Sequence, residues 1–220
     1  MNRRHMSIAV VITATTSLLL TACGGGGGDS KDNDKIAGAG AAEAAATPTL
    51  ATASPSNSAD RPKITFPADV KEVFEGWSTG DAVKDALLAD VQGAQQASDY
   101  AIAEGNADEA ALSYYYRGDA LATTSKWVQS SFVDKGITIT GTIRYFDPRV
   151  SVTDDTSGSV RYCSDESEAF SKVRKTGKVN KTPVNDDSYV LYNVKVEKSD
   201  QGVWQTTDGL SDRGNEVCTP

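Results

Sequence analysis

The apolar residues of this chain change rhythm twice. Up to about Arg61 they form no pattern that could bury a surface, apart from one uncharged run from Ser7 to Leu20. From Pro67 they recur at helical spacing. Val70, Val73, Phe74 and Trp77 fall at i, i+3, i+4 and i+7, and a proline suits a first helical turn, so a short helix is predicted there, ended by Gly76 and Gly80. Asp81 then opens a long helix to about Glu104, with Val83, Leu87, Leu88, Val91, Ala94 and Ile102 on one face. Gly93 inside it costs about 1 kcal/mol relative to alanine, which points to a close contact at that position. Asp119 to Val133 reads as a further helix with Leu121, Trp127, Val128 and Phe132 inward, stopped by Asp134-Lys135-Gly136.

The period then drops to two. Ile137, Ile139, Gly141, Ile143 and Tyr145 alternate with Thr138, Thr140, Thr142 and Arg144, a half-buried strand. Asp147-Pro148 predicts a turn, Val150 and Val152 a second strand, and Ser159 to Cys163 a third. Ser164 to Asn185 is ambiguous, with an extended piece around Phe170 to Val173 and a turn at Gly177. Tyr189 to Val196 is the most β-rich run, and Val203 to Asp208 pairs back on it across a turn at Ser199 to Gly202. Helices followed by strands with tight turns predict an α+β domain on an antiparallel sheet.

The run before the domain changes the picture. Arg3 and Arg4 precede the uncharged stretch of Ser7 to Leu20, and Leu20-Thr21-Ala22-Cys23 follows it. Fourteen residues are too few to span a bilayer, which takes about 20, but they suit the apolar region of an export signal. Leu-Thr-Ala-Cys resembles the lipobox of bacterial lipoproteins. The resemblance implies acyl chains on Cys23, cleavage just before it, and a chain lipid-anchored to the cell membrane on its extracytoplasmic face. The competing reading is an ordinary secretory signal with a chance cysteine. Residues 1–22 are thus a signal peptide and 23–62 a Gly/Ala/Ser/Thr/Pro tether expected to be disordered, since it lacks aromatics and large aliphatics are few. The folded domain is expected over 63–220.

Charge and residue counts mainly exclude. A formal charge of −8 argues against nucleic acid, whose affinity rests on phosphate neutralisation. With Cys23 lipidated, Cys163 and Cys218 form an even pair in an oxidising compartment and read as a disulfide, with two free buried thiols as the alternative. The only histidine, His5, lies in the signal, so the mature chain has no imidazole for a nucleophile pair or a His-based zinc site. No metal or other cofactor is expected; Asp154 to Gly158 has oxygen ligands but neither the alternation nor the distal glutamate of a calcium loop.

Several segments resemble an actinobacterial family of secreted and lipoprotein domains of unknown function. They are Pro67 to Lys71 with Val73-Phe74-Glu75, Gly80 to Lys84, Thr140-Gly141-Thr142 with Arg144-Tyr145-Phe146, Tyr162 to Ser167, Lys175 to Lys178, and Gly202 to Thr207, with the terminal cysteine. The order of elements is similar to the NTF2-like (cystatin-like, SnoaL-like) fold, which implies a cone of helices over a curved antiparallel sheet enclosing a pocket. The residues placed to line such a pocket are Tyr115, Arg117, Tyr145, Tyr162 and Tyr192, with Tyr114 and Tyr116 beside them. A tyrosine with a carboxylate can move protons, although the same tyrosines serve equally as core residues. Asp165 with Glu166 could pair as carboxylates or form a turn or strand end, and the strip Lys172, Arg174, Lys175, Lys178 and Lys181 could meet an anionic polymer or simply be solvated. Three functions follow as expectations: a non-catalytic domain binding a small ligand or an envelope protein, an isomerase or hydrolase with a Tyr/carboxylate pocket, and a structural accessory subunit of an envelope complex.

Overall fold

The computed structural model describes residues 61–220. The signal, Cys23 and the expected tether up to residue 60 lie outside the described residues. Among those described, no helix is long and apolar enough to cross a membrane.

The architecture is α+β, with helices on one face of a mixed, mostly antiparallel sheet of six strands. The strands are β1 (Val70–Phe74), β2 (Ile137–Val152), β3 (Ser157–Val173), β4 (Val179–Asn180), β5 (Tyr189–Lys198) and β6 (Trp204–Arg213). Their spatial order is β1-β2-β3-β5-β6, with β4 pairing only on β3. The helices are α1 (Ala82–Glu104), α2 (Ala110–Tyr115) and α3 (Gly118–Val128), and α3 continues into a π-wound turn at Gln129–Val133.

The first element corrects the sequence reading. Val70 to Phe74 is not helical; it is a strand running parallel to β2, with Val70 beside Gly141 and Phe74 beside Tyr145. In Val-Lys-Glu-Val-Phe the 3.6 and 2.0 periods coincide over too few residues to separate. An isolated helix this short has no stability of its own, whereas the free edge of β2 pairs the backbone groups along one side of the segment. The sheet is therefore mixed, not purely antiparallel.

The long helix forms as its pattern predicts. Asp81 caps it by accepting from the amides of Val83 and Lys84, each at 3.0 Å. Gly105 ends it at φ 74°, left-handed backbone that glycine adopts without penalty. Arg174, reaching over from the end of β3, donates to the carbonyls of Ile102, Ala103 and Ile137, so a side chain distant in sequence finishes the cap. Leu87, Leu88 and Val91 pack on Ile143, Val160, Val196 and Trp204 of the sheet. Each such side chain contributes about 1.5–3 kcal/mol by leaving water. Val83 is exposed instead, as is Trp127 in α3, so both predicted inward positions are corrected. The second half of α1 packs through Ala94, Ala97, Ala101 and Ile102 on Leu112, Tyr115 and Val128. Gly93 is the close contact its position implied: a Cβ there would lie 2.4 Å from the Tyr115 ring. α2 has no counterpart in the sequence reading.

Two predicted breaks are not breaks. Asp147-Pro148 is an irregularity within one long strand, and Asp147 takes φ 50° to pass it. Ser164 to Glu168 continues β3, so Asp165 and Glu166 sit in mid-strand and not at a turn or strand end. Asp165 is paired with Arg144 on β2 at 2.9 Å.

The Cys163–Cys218 disulfide is formed, with Cα atoms 5.6 Å apart, and it ties the C-terminal tail to the sheet. Both core clusters and the disulfide are built from residues at or beyond Ile64, so the described segment carries a core of its own.

Candidate functional site

The richest chemistry lies between α1 and the concave face of the sheet. Alternation along β1 turns Val70, Glu72 and Phe74 to the same side, so a glutamate enters the interior between two apolar residues. On α1 the apolar stripe is interrupted where Gln95, Ser98 and Asp99 take buried positions between Ala94 and Ile102. Glu72 and Asp99 meet there. Tyr145 on β2 donates its hydroxyl to Asp99 Oδ2 at 2.5 Å. Tyr162 on β3 donates to Gln95 Oε1 at 3.0 Å, and Gln95 Nε2 reaches the Asp99 oxygens at 3.4 Å. Tyr116 also faces Asp99 and bonds Ser98.

Two carboxyl groups in this space cannot both be ionised. Burial, then the Asp99 charge, pushes Glu72 up to about 10. Asp99 is also raised, first by burial, although hydrogen bonds from Glu72, Tyr145 and Gln95 oppose this. Both Glu72 oxygens are buried, and the side chains of Asp99 and Gln96 face them. Burial and the neighbouring acid together favour a protonated Glu72 that donates to Asp99. Burial raises Tyr145 well above the usual phenol range, and the neighbouring acids raise it further.

Aromatic rings close over this pair. Phe74 stacks on Tyr145 at 4.8 Å between centroids, and Tyr162 stacks on Tyr192 at 5.0 Å. Trp77 stands edge-on to Tyr162 at 5.2 Å, with its indole N–H buried and unpartnered. Two open hollows, each about 280 Å³, lie elsewhere: one by Ser157, Lys195 and Thr207, the other by Ala107, Leu112 and Ser125. Neither touches the carboxyl pair.

Of the residues expected around a pocket, Tyr145, Tyr162 and Tyr192 do converge. Tyr115 and Arg117 do not join them. Tyr115 fills the notch at Gly93 beside a second buried acid, Asp90. Asp90 is 1% exposed, accepts from the Trp204 amide at 3.0 Å and meets Arg61 at 2.6 Å. Burial raises Asp90, and both partners pull it back. Arg117 pairs with Glu197 on the outer surface, with 40% of its side chain exposed. The sequence reading missed Glu72, Gln95 and Asp99. The polar gap in the stripe of α1 was the available signal; Glu72 was hidden by the helical assignment of β1. Among the described residues no three His, Cys, Asp or Glu side chains gather where a metal could sit.

No family model matches the chain, and no curated protein is similar to it. Among solved structures it is similar to a ketosteroid isomerase-like protein from Erwinia carotovora atroseptica, at 18% identity and a TM-score of 0.39, over 57% of this chain and 94% of that one.

Proposed function

We propose that this chain is an extracytoplasmic lipoprotein, held to the membrane by acyl chains on Cys23, whose α+β domain binds an envelope protein partner and catalyses no reaction. One observation carries the non-catalytic reading. The interior, where chemistry would occur, is filled by the domain's own rings, with Trp77 and Phe74 packed over Tyr145 and Tyr162. A substrate would have to displace rings that are already packed on one another. Recognition then falls to the outer surface, as it would for an accessory subunit of an envelope complex. The anchor is supported by the Leu-Thr-Ala-Cys motif behind a charged and then apolar leader.

A second reading has its own support. Tyr145, Asp99 and Glu72 offer a phenol donor beside a protonated acid, a combination that can polarise a carbonyl and stabilise an enolate. That reading needs Trp77 to leave its seat.

Native mass spectrometry of the protein recovered from its own envelope separates the two. The mass of the acylated chain and nothing further is expected. A stoichiometric small-molecule adduct that Tyr145→Phe abolishes would overturn the non-catalytic reading in favour of an acid–base site. For the anchor, Cys23→Ala should release the protein from the membrane fraction; undiminished retention would refute lipidation.

A further inference from the structure

The segment from Ala169 to Asn185 holds Lys172, Arg174, Lys175, Lys178 and Lys181 and no acid, in a chain of net charge −8. The structure sorts these cations. Lys172 pairs with Asp69, and Arg174 spends its guanidinium on the carbonyls at the end of α1. Lys175, Lys178 and Lys181 are left, all exposed and none in a salt bridge among the described residues. Every residue from 174 to 187 is exposed, yet the start of this arm is ordered. Val173 and Lys178 close the turn through a 2.8 Å backbone bond, and β4 pairs Val179 and Asn180 with Lys172 and Ser171. Between the lysines the arm presents two aliphatics to solvent, Val179 at 38% and Val184 at 61% exposed. Lys135 adds a further cation at its base, where Gly136 accepts from the Arg174 amide.

A face that serves only solubility mixes both signs of charge and keeps aliphatics covered. This arm does neither. We infer that the arm over residues 172–184 is a membrane-contacting surface: its lysines engage anionic phospholipid headgroups, and Val179 and Val184 settle between them. The inference rests on the proposed anchoring, which would hold the domain close enough for a weak surface contact to matter. The acidic remainder of the chain is repelled by the same headgroups, so the contact also fixes which end of the domain faces the bilayer. Each lysine near an anionic surface strengthens binding by about fivefold, so Lys175, Lys178 and Lys181 together supply on the order of 100-fold.

Unlipidated protein spanning residues 61–220 would be sedimented with vesicles of phosphatidylcholine alone and of phosphatidylcholine mixed with phosphatidylglycerol. Preference for the anionic vesicles is expected, falling on the order of 100-fold when Lys175, Lys178 and Lys181 are neutralised to Gln, further in Lys175→Glu/Lys178→Glu/Lys181→Glu, and largely lost for the native sequence in high salt. A milder set, Lys→Gln at the same positions, guards against misfolding of the charge-reversed protein, and thermal unfolding checks both. Equal partitioning of native and substituted protein would overturn the inference. So would binding to a purified anionic wall polymer with no preference for the vesicles. Because no acyl chain is present in this assay, its failure leaves the Cys23 anchor untouched, whereas membrane retention of Cys23→Ala would remove the anchor alone.

Discussion

Replacing Glu72 by glutamine should make the domain more stable at neutral and alkaline pH. In the unfolded chain this carboxyl loses its proton near 4.5; in the fold it keeps it up to about 10. Between those values the folded state binds a proton that the unfolded state has released. Stability contributed at low pH is therefore lost as pH rises across the window, at about 1.4 kcal/mol per pH unit for one proton. From pH 5 to pH 7 that is roughly 3 kcal/mol, a large part of the margin of an ordinary domain. Glutamine supplies a permanent donor to Asp99, which then ionises among Tyr145, Gln95 and the new amide. The variant should match the native protein near pH 5 and exceed it by roughly 3 kcal/mol or more at pH 8. Urea unfolding at several pH values reads this directly, since a slope of about 2 kcal/mol per molar turns the gap into more than about 1 M in midpoint. Groups that titrate alike in both proteins cancel in the difference. Parallel curves for the two proteins, or a variant weaker at every pH, would refute a protonated Glu72.

Gly93→Ala should destabilise by about 1–3 kcal/mol despite alanine's better helix propensity, because its Cβ meets the buried Tyr115 ring; thermal unfolding should show the loss shrinking in a Tyr115→Leu background. Breaking the disulfide with Cys163→Ser/Cys218→Ser should cost about 4 kcal/mol in the chain-entropy model for a separation of 55 residues, read as a lowered urea midpoint. Arg174→Met keeps the stem and removes the donors to three carbonyls, so hydrogen exchange should accelerate over the last turn of α1 and leave its Leu87–Val91 region protected.

How much was legible depended on where the information sat. α1 could be read because a capping aspartate, a long 3.6-residue period and a terminal glycine all agree over 23 residues. β1 could not, because five residues satisfy two periods at once and the deciding factor, the open edge of β2, lies some seventy positions away. The same distance hid half of the carboxyl pair. Asp99 could have been found as a polar residue on an apolar face and was not, whereas its partner Glu72 becomes interior only once β1 is a strand. Tyr145, Tyr162 and Tyr192 fell together because they share one face of three neighbouring strands, which alternation does encode. That their rings would fill the interior is a matter of packing, which no spacing rule contains. Tyr115 and Arg117 were expected with them from the resemblance; Tyr115, still in α2, packs against Gly93, and Arg117 beyond it pairs with Glu197.

The bond between Cys163 and Cys218 also decides how the domain answers a pull. Its C-terminal handle leads mechanically into β3, which is flanked by β2 and β5, because the covalent link bypasses the chain between the two cysteines. Traction on the last residues therefore cannot peel β6 from the sheet edge one bond at a time. Stretched from both ends, the oxidised molecule would keep about 55 residues out of the extended contour, roughly 190 Å that appears only after reduction.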